Sequence, residues 1–138
     1  MNRKQPKCKY QHIMLVDDSE LDNFINQKII ESSNFASKVY ISTSSKSALE
    51  FLNNLAVTGE VAQHLYPQII FIDLNMPIID GFQFIELLKA NSNIGVEKYK
   101  LVILTSSIHP NDKKKAVEIY KNITFLNKPL TEEMLASL

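Results

Sequence analysis

The sequence predicts an α/β domain: a doubly wound, five-stranded parallel sheet with helices on both faces. Two observations predict it. Five short, continuous apolar runs recur along the chain, too short for helices and lacking the alternation of a strand with one wet face. Between them lie longer stretches whose apolar residues fall at helical spacing. Strand and helix therefore alternate five times, as parallel strands joined by right-handed crossovers do.

The chain of 138 residues fits one domain, and its hydrophobic fraction of 45% supplies a core without disulfides or structural metal. Fifteen basic residues balance fifteen acidic ones. That neutrality argues against broad electrostatic binding to nucleic acid. The single cysteine, Cys8, excludes an internal disulfide and suits a reducing compartment. No apolar run approaches the ~20 residues of a membrane span, and no signal peptide stands at the start. The expectation is a cytoplasmic protein with no membrane contact.

Residues 1–11 are polar and basic and read as a flexible leader, with the domain proper over 12–138. Ile13, Met14, Leu15 and Val16 form the first strand and end at Asp17 and Asp18. Ser19 caps the next helix, with Asp22 in the place of a capping-box acid. Leu21, Phe24, Ile25 and Ile29 mark the apolar face of that helix, over 20–33. The second strand covers 38–42 and the second helix 45–56, with Ala48, Leu49, Phe51, Leu52 and Leu55 inward. After a connector over 57–67, Ile69, Ile70, Phe71 and Ile72 form the most apolar strand, ending at Asp73. Pro77 and Gly81 punctuate the following loop, and Phe82, Phe84, Ile85, Leu87 and Leu88 mark the third helix. Leu101, Val102, Ile103 and Leu104 form the fourth strand, ending at Thr105. The fourth helix starts near Pro110 and carries Ala116, Val117, Ile119 and Tyr120. Ile123, Thr124, Phe125 and Leu126 form the fifth strand, ending at Asn127, Lys128 and Pro129, and Thr131 caps a short final helix.

The polar residues gather at the strand ends. In open parallel sheets ligands bind outside the carboxyl ends of the strands, so Asp17, Asp18, Asp73, Thr105 and Lys128 are expected in one cleft. Three carboxylates at close quarters repel, by ~4 kcal/mol per pair at ~4 Å and an effective dielectric of ~20. Such a cluster takes up protons or binds a cation, and oxygen ligands suit Mg²⁺, with Mn²⁺ as the alternative. Lys128 adds a compact positive charge and Thr105 a hydroxyl donor. A carboxylate in that setting serves as a nucleophile toward a phosphoryl group.

The stretch Asp73-Leu74-Asn75-Met76-Pro77-Ile78-Ile79-Asp80-Gly81 resembles the phosphoacceptor loop of the receiver domains of bacterial response regulators. Val16-Asp17-Asp18 resembles their acidic pair, Leu104-Thr105-Ser106 their switch hydroxyl, and Phe125-Leu126-Asn127-Lys128-Pro129 their final strand and lysine. The resemblance covers about residues 12–138. It implies the flavodoxin-like strand order 2-1-3-4-5, for which a member of this family is a standard illustration. It implies phosphorylation of Asp73 by a phosphohistidine on a sensor histidine kinase or histidine phosphotransfer protein. Metal would be held by Asp18, Asp73 and the backbone carbonyl of Asn75, with Asp17 acting mainly through water. Lys128 would pair with the phosphoryl group, Thr105 and Phe125 would switch together, and the Lys128–Pro129 bond would be cis.

The face of the fourth helix, fifth strand and fifth helix would report the switch to a downstream protein target, with Lys113, Lys114 and Lys115 suiting an acidic partner. Asn23, Phe24 and Gln27 would face outward to a kinase. Asn75 and Ser107 are placed to tune the lifetime of the phosphoryl group. The domain catalyses only its own phosphorylation and dephosphorylation, and a homodimer is left open. His12, His64 and His109 lack metal-ligand spacing. The alternatives are a receiver fragment of a larger regulator or hybrid kinase and an aspartyl-phosphate phosphohydrolase. The latter commonly needs a second acid where Asn75 stands. A flavin protein of similar fold would meet acids where its phosphate loop should be.

Overall fold

Strand alternation explains how this chain divides its apolar residues between two cores. The computed structural model describes residues 7–138. Five strands, β1 (Tyr10–Val16), β2 (Ala36–Ser42), β3 (Ile69–Ile72), β4 (Lys100–Thr105) and β5 (Thr124–Asn127), alternate with α1 (Glu20–Ser32), α2 (Ser45–Thr58), α3 (Gly81–Ala90), α4 (Pro110–Ile119) and α5 (Glu132–Ala136). All pairings are parallel, in the order β2-β1-β3-β4-β5. Successive side chains leave opposite faces of a strand. Met14, Val16, Ile70, Ile72, Leu101 and Ile103 therefore pack beneath α2, α3 and α4, with Leu52, Phe84 and Leu88. Ile13, Leu15, Ile69, Phe71, Val102 and Leu104 pack on the other side with Ile30 of α1 and Leu135 of α5. Each fully buried Ile or Leu contributes roughly 1.5–3 kcal/mol.

The first strand begins earlier than the apolar pattern suggests. Tyr10 and Gln11, read with the leader, belong to β1, where Tyr10 N donates to Phe35 O at 2.9 Å and Tyr10 Oη to Leu138 O at 2.6 Å. Residues 1–6 of that leader lie outside the described residues. The connector before β3 contains a 3-10 segment, Gly59–Leu65. It leaves α2 at Gly59, whose φ of 71° a side chain would oppose. Tyr120 caps α4 instead of extending it, and Val117 is exposed.

The largest departure is α1. Most of its sequence-predicted inner face is turned out: Leu21 is 66%, Phe24 57% and Ile25 47% exposed, while Asn23, Asn26 and Ile30 are buried and, of the predicted face, Ile29 packs on the core. Asp22 also leaves its expected capping role. Ser19 Oγ accepts from Asp22 N at 3.2 Å, but the Ser19 N–H donates to Asp17 Oδ1 at 2.9 Å. Asp17 thus takes the task of a capping-box acid, and the Asp22 carboxylate is free to reach elsewhere.

Candidate functional site

The alternation that sends Leu15, Phe71 and Leu126 to the α1–α5 side continues into Asp17, Asp73 and Lys128, two residues on in each strand. Ladder bonds run past the strand ends and fix these backbones. Asp17 N donates to Ser42 O at 3.1 Å, Asp73 N to Val16 O at 3.0 Å and Lys128 N to Thr105 O at 2.8 Å. The side chains then converge. Lys128 Nζ lies 2.6 Å from Asp17 Oδ2, 2.8 Å from Asp22 Oδ2 and 3.6 Å from Asp73 Oδ1. Asp17, Asp18 and Asp73 each offer a carboxylate oxygen within 4.8 Å of the others. Asp17 and Asp73 are buried, and Asp18 is exposed.

Burial and then the negative charge of Asp17 push the Asp73 carboxyl above its ordinary range, with the Lys128 charge pulling the other way. Burial disfavours the Lys128 ammonium, but its hydrogen bonds to Asp17 and Asp22 and the charge of Asp73 outweigh that and raise its pKa. Asp73 Oδ1 is buried without a hydrogen-bond partner. An all-oxygen donor set carrying excess negative charge fits a hard divalent cation.

The loop after Asp73 closes against α3. Gly81 N donates to Leu74 O at 3.0 Å, and α3 is capped reciprocally by Asp80 and Gln83. A Cβ on Gly81 would stand 2.5 Å from Asp73 O and 2.8 Å from Leu74 Cα. Both are backbone atoms, so the loop itself would have to move. Gly81→Ala is expected to cost about 2–3 kcal/mol, read from denaturant midpoints, and to slow any chemistry at Asp73. A midpoint equal to wild type would show that the loop gives way freely. Ile78, in the same loop, is 98% exposed with φ of 68°, a conformation costing a β-branched residue about 1–2 kcal/mol.

Thr105 ends β4, fully buried, and its Oγ1 accepts from Ser107 N at 3.3 Å. Phe125 pairs in register with Ile103 and packs half-buried against the α2–α3–α4 core. The Lys128–Pro129 peptide is cis. Asn75 is exposed two residues after Asp73. The Ser107 hydroxyl is committed to Asp112 of α4, and its carbonyl accepts from Asn127 Nδ2 at 2.5 Å. His109 caps α4 through Nδ1. Asn23, expected outward, is buried and donates Nδ2 to Asp17 O at 2.8 Å. Sequence reasoning missed Asp22 and Asn23. The signal available was a stripe of Asn23, Asn26 and Ile30 at helical spacing, with poor helix formers in its first two places.

The family model for the response regulator receiver domain matches residues 13–138. This chain belongs to that family. The receiver is similar to a two-component response regulator from Cytophaga hutchinsonii, at 32% identity and a TM-score of 0.81, over 96% of this chain and 94% of that one. Response regulator Rcp1 of Synechocystis is 28% identical over 110 residues, which is 80% of this receiver and 71% of Rcp1. A structure of Rcp1 in its Mn²⁺-bound form matches with a TM-score of 0.69 at 26% identity, over 92% of this chain and 88% of that one. Receivers are signalling domains of two-component systems that take a divalent metal. Among the described residues, no helix is long and apolar enough to cross a membrane.

Proposed function

We propose that this receiver accepts a phosphoryl group on Asp73 from a phosphohistidine and so switches a protein-binding face. The observation that carries the reading is the Lys128 ammonium seated between Asp17 and Asp73, 2.6 and 3.6 Å away. The Asp73 carboxylate attacks phosphorus as the phosphorus–nitrogen bond to the donor imidazole breaks. Asp17, Asp18, Asp73 and the Asn75 carbonyl would hold Mg²⁺, with Asp17 acting mainly through water, and Mn²⁺ suits the same ligands. The bound ion supplies charge neutralisation for the phosphoryl oxygens. Lys128 pairs with one of those oxygens. The Thr105 hydroxyl donates to another, Phe125 moves inward with it, and the surface of α4, β5 and α5 changes for a downstream protein target. Asn75 and Ser107 set the lifetime of the product, the Ser107 hydroxyl through its bond to Asp112. The chain thus catalyses only its own phosphorylation and dephosphorylation, in the cytoplasm.

Intact mass after incubation with Mg²⁺ and acetyl phosphate tests the reading. A metal-dependent gain of one phosphoryl mass supports it. No gain from either acetyl phosphate or a phosphohistidine donor sinks it. The donor, a sensor histidine kinase or histidine phosphotransfer protein, docks on the exposed apolar face of α1, where Leu21, Phe24 and Ile25 are open to solvent on the helix that follows Asp17 and Asp18. Phe24→Asp is expected to slow transfer from a phosphohistidine protein by about tenfold or more and to leave acceptance from acetyl phosphate unchanged. Equal slowing of both would place the defect in the acceptor site instead.

A further inference from the structure

The side of α1 that faces the sheet is polar where it crosses the carboxylates. Asn23 and Asn26 are 3% and 4% exposed, and Ile30, one turn on, reaches the apolar core. Asparagine is a poor helix former and costs desolvation when buried. Two on the inner face, with Leu21, Phe24 and Ile25 turned to solvent, need a local reason. Asn23 supplies part of it, because its Nδ2 donates to Asp17 O at 2.8 Å. That bond fixes which end of the amide is which. The amide oxygen, Asn23 Oδ1, is then buried with no hydrogen-bond partner, and Asp73 Oδ1, 3.6 Å from Lys128 Nζ, has none either.

Both residues line one small cavity between α1 and the ends of β1 and β3. Its volume is about 10 Å³, the room one water needs. Asp17 and Asn26 line it too, over Leu15 and Phe71. Two acceptors, an amide oxygen and a carboxylate oxygen, cannot satisfy each other. A water satisfies both, because it has two protons to donate.

We propose that Asn23 is a positioning residue for the acceptor: one buried water donates to Asn23 Oδ1 and Asp73 Oδ1 and ties the Asp73 carboxylate to α1, with Asn26 as its third polar partner. The inference rests on Asp73 as the phosphoacceptor. With one oxygen held inward, rotation of the carboxylate is restricted and the other oxygen is presented for attack. The Asn23 bond to the Asp17 carbonyl holds the acidic pair in the same frame. The buried polar stripe of α1 is then part of the site, and its exposed apolar residues are the consequence of turning that stripe inward.

The test uses the full chain. A crystal structure that resolves ordered waters is expected to show one water within hydrogen-bonding distance of Asn23 Oδ1 and Asp73 Oδ1. A dry cavity overturns the proposal. At saturating Mg²⁺ and acetyl phosphate, Asn23→Leu is expected to phosphorylate about tenfold more slowly per folded molecule. Ile30→Val, in the same buried stripe but away from the cavity, is expected to lower the melting temperature and leave that rate unchanged. A wild-type rate in Asn23→Leu, or equal slowing by Ile30→Val, also overturns it. Should the wild type accept no phosphoryl group at all, the acceptor reading fails, and the water seen or not seen in the crystal still decides the Asn23–Asp73 contact.

Discussion

Asp73→Asn is expected to abolish phosphoryl acceptance and, in chelator, to make the protein more stable at neutral pH. The first effect follows from the proposed chemistry, in which Asp73 is the nucleophile and an amide is no substitute for its carboxylate. The second follows from the site's electrostatics. Burial and the neighbouring Asp17 raise the Asp73 carboxyl above its unfolded value, so the folded state binds that proton more tightly than the unfolded chain. The contribution of Asp73 to stability is therefore greatest below its unfolded pKa and declines as pH rises through the folded one. At pH 7 the ionised group costs the fold, and replacing it with a neutral isostere recovers that cost. Thermal melts of both proteins across pH 3–8 would read it as a gap that opens with rising pH. A variant less stable than wild type at pH 7 would mean that the Lys128–Asp73 attraction outweighs burial and repulsion. A site that costs stability until it is loaded is a common signature of function.

The sheet was legible because β3 and β4 are buried on both faces and so read as unbroken apolar runs, from Ile69 to Ile72 and from Leu101 to Leu104. Asp17, Asp73 and Lys128 were legible because they stand where β1, β3 and β5 stop. The strand order and the roles at the site came from resemblance, since periodicity alone does not order strands. The start of β1 was hidden because Tyr10 and Gln11 sit at a half-covered corner whose pairing depends on Phe35 and Gln68. The face of α1 misled for a definite physical reason. Helical periodicity locates the core by assuming that apolar side chains point inward. Over the carboxylates the inward side must be polar, so Asn23 and Asn26 turn in and Leu21, Phe24 and Ile25 turn out. Asp22 was hidden for a related reason: Asp17 takes over the contact with the Ser19 N–H, which frees Asp22 for Lys128.

Lys128→Met is expected to cost the fold about 3–5 kcal/mol at pH 7 in chelator. Methionine keeps an unbranched apolar stem, so the loss reports the ammonium and not the packing. That ammonium serves Asp17, Asp22 and Asp73, and it is 14% exposed. Without it, the Asp17 and Asp73 side chains, each 7% exposed, face one another with no counter-charge. The pKa of Lys128 is raised in the fold, so its stabilisation is complete below the unfolded lysine value of ~10.4 and is lost as pH rises through the folded one. The deficit of the variant should therefore be flat near neutrality in its lysine part and shrink in acid, as the Asp73 carboxylate takes up its proton. Divalent metal supplies a second discriminator. An ion that binds the folded state stabilises it by mass action, so Mg²⁺ should raise the melting temperature of Lys128→Met as well as that of wild type, if the carboxylates are its ligands. Phosphorylation should stay impaired even at saturating metal, because the phosphoryl oxygen proposed to pair with Lys128 would then have no partner. A variant that melts with wild type in chelator would remove Lys128 from its place as the counter-ion of the site. Recovery of full acceptance by metal alone would leave Lys128 a structural role and no part in the transfer.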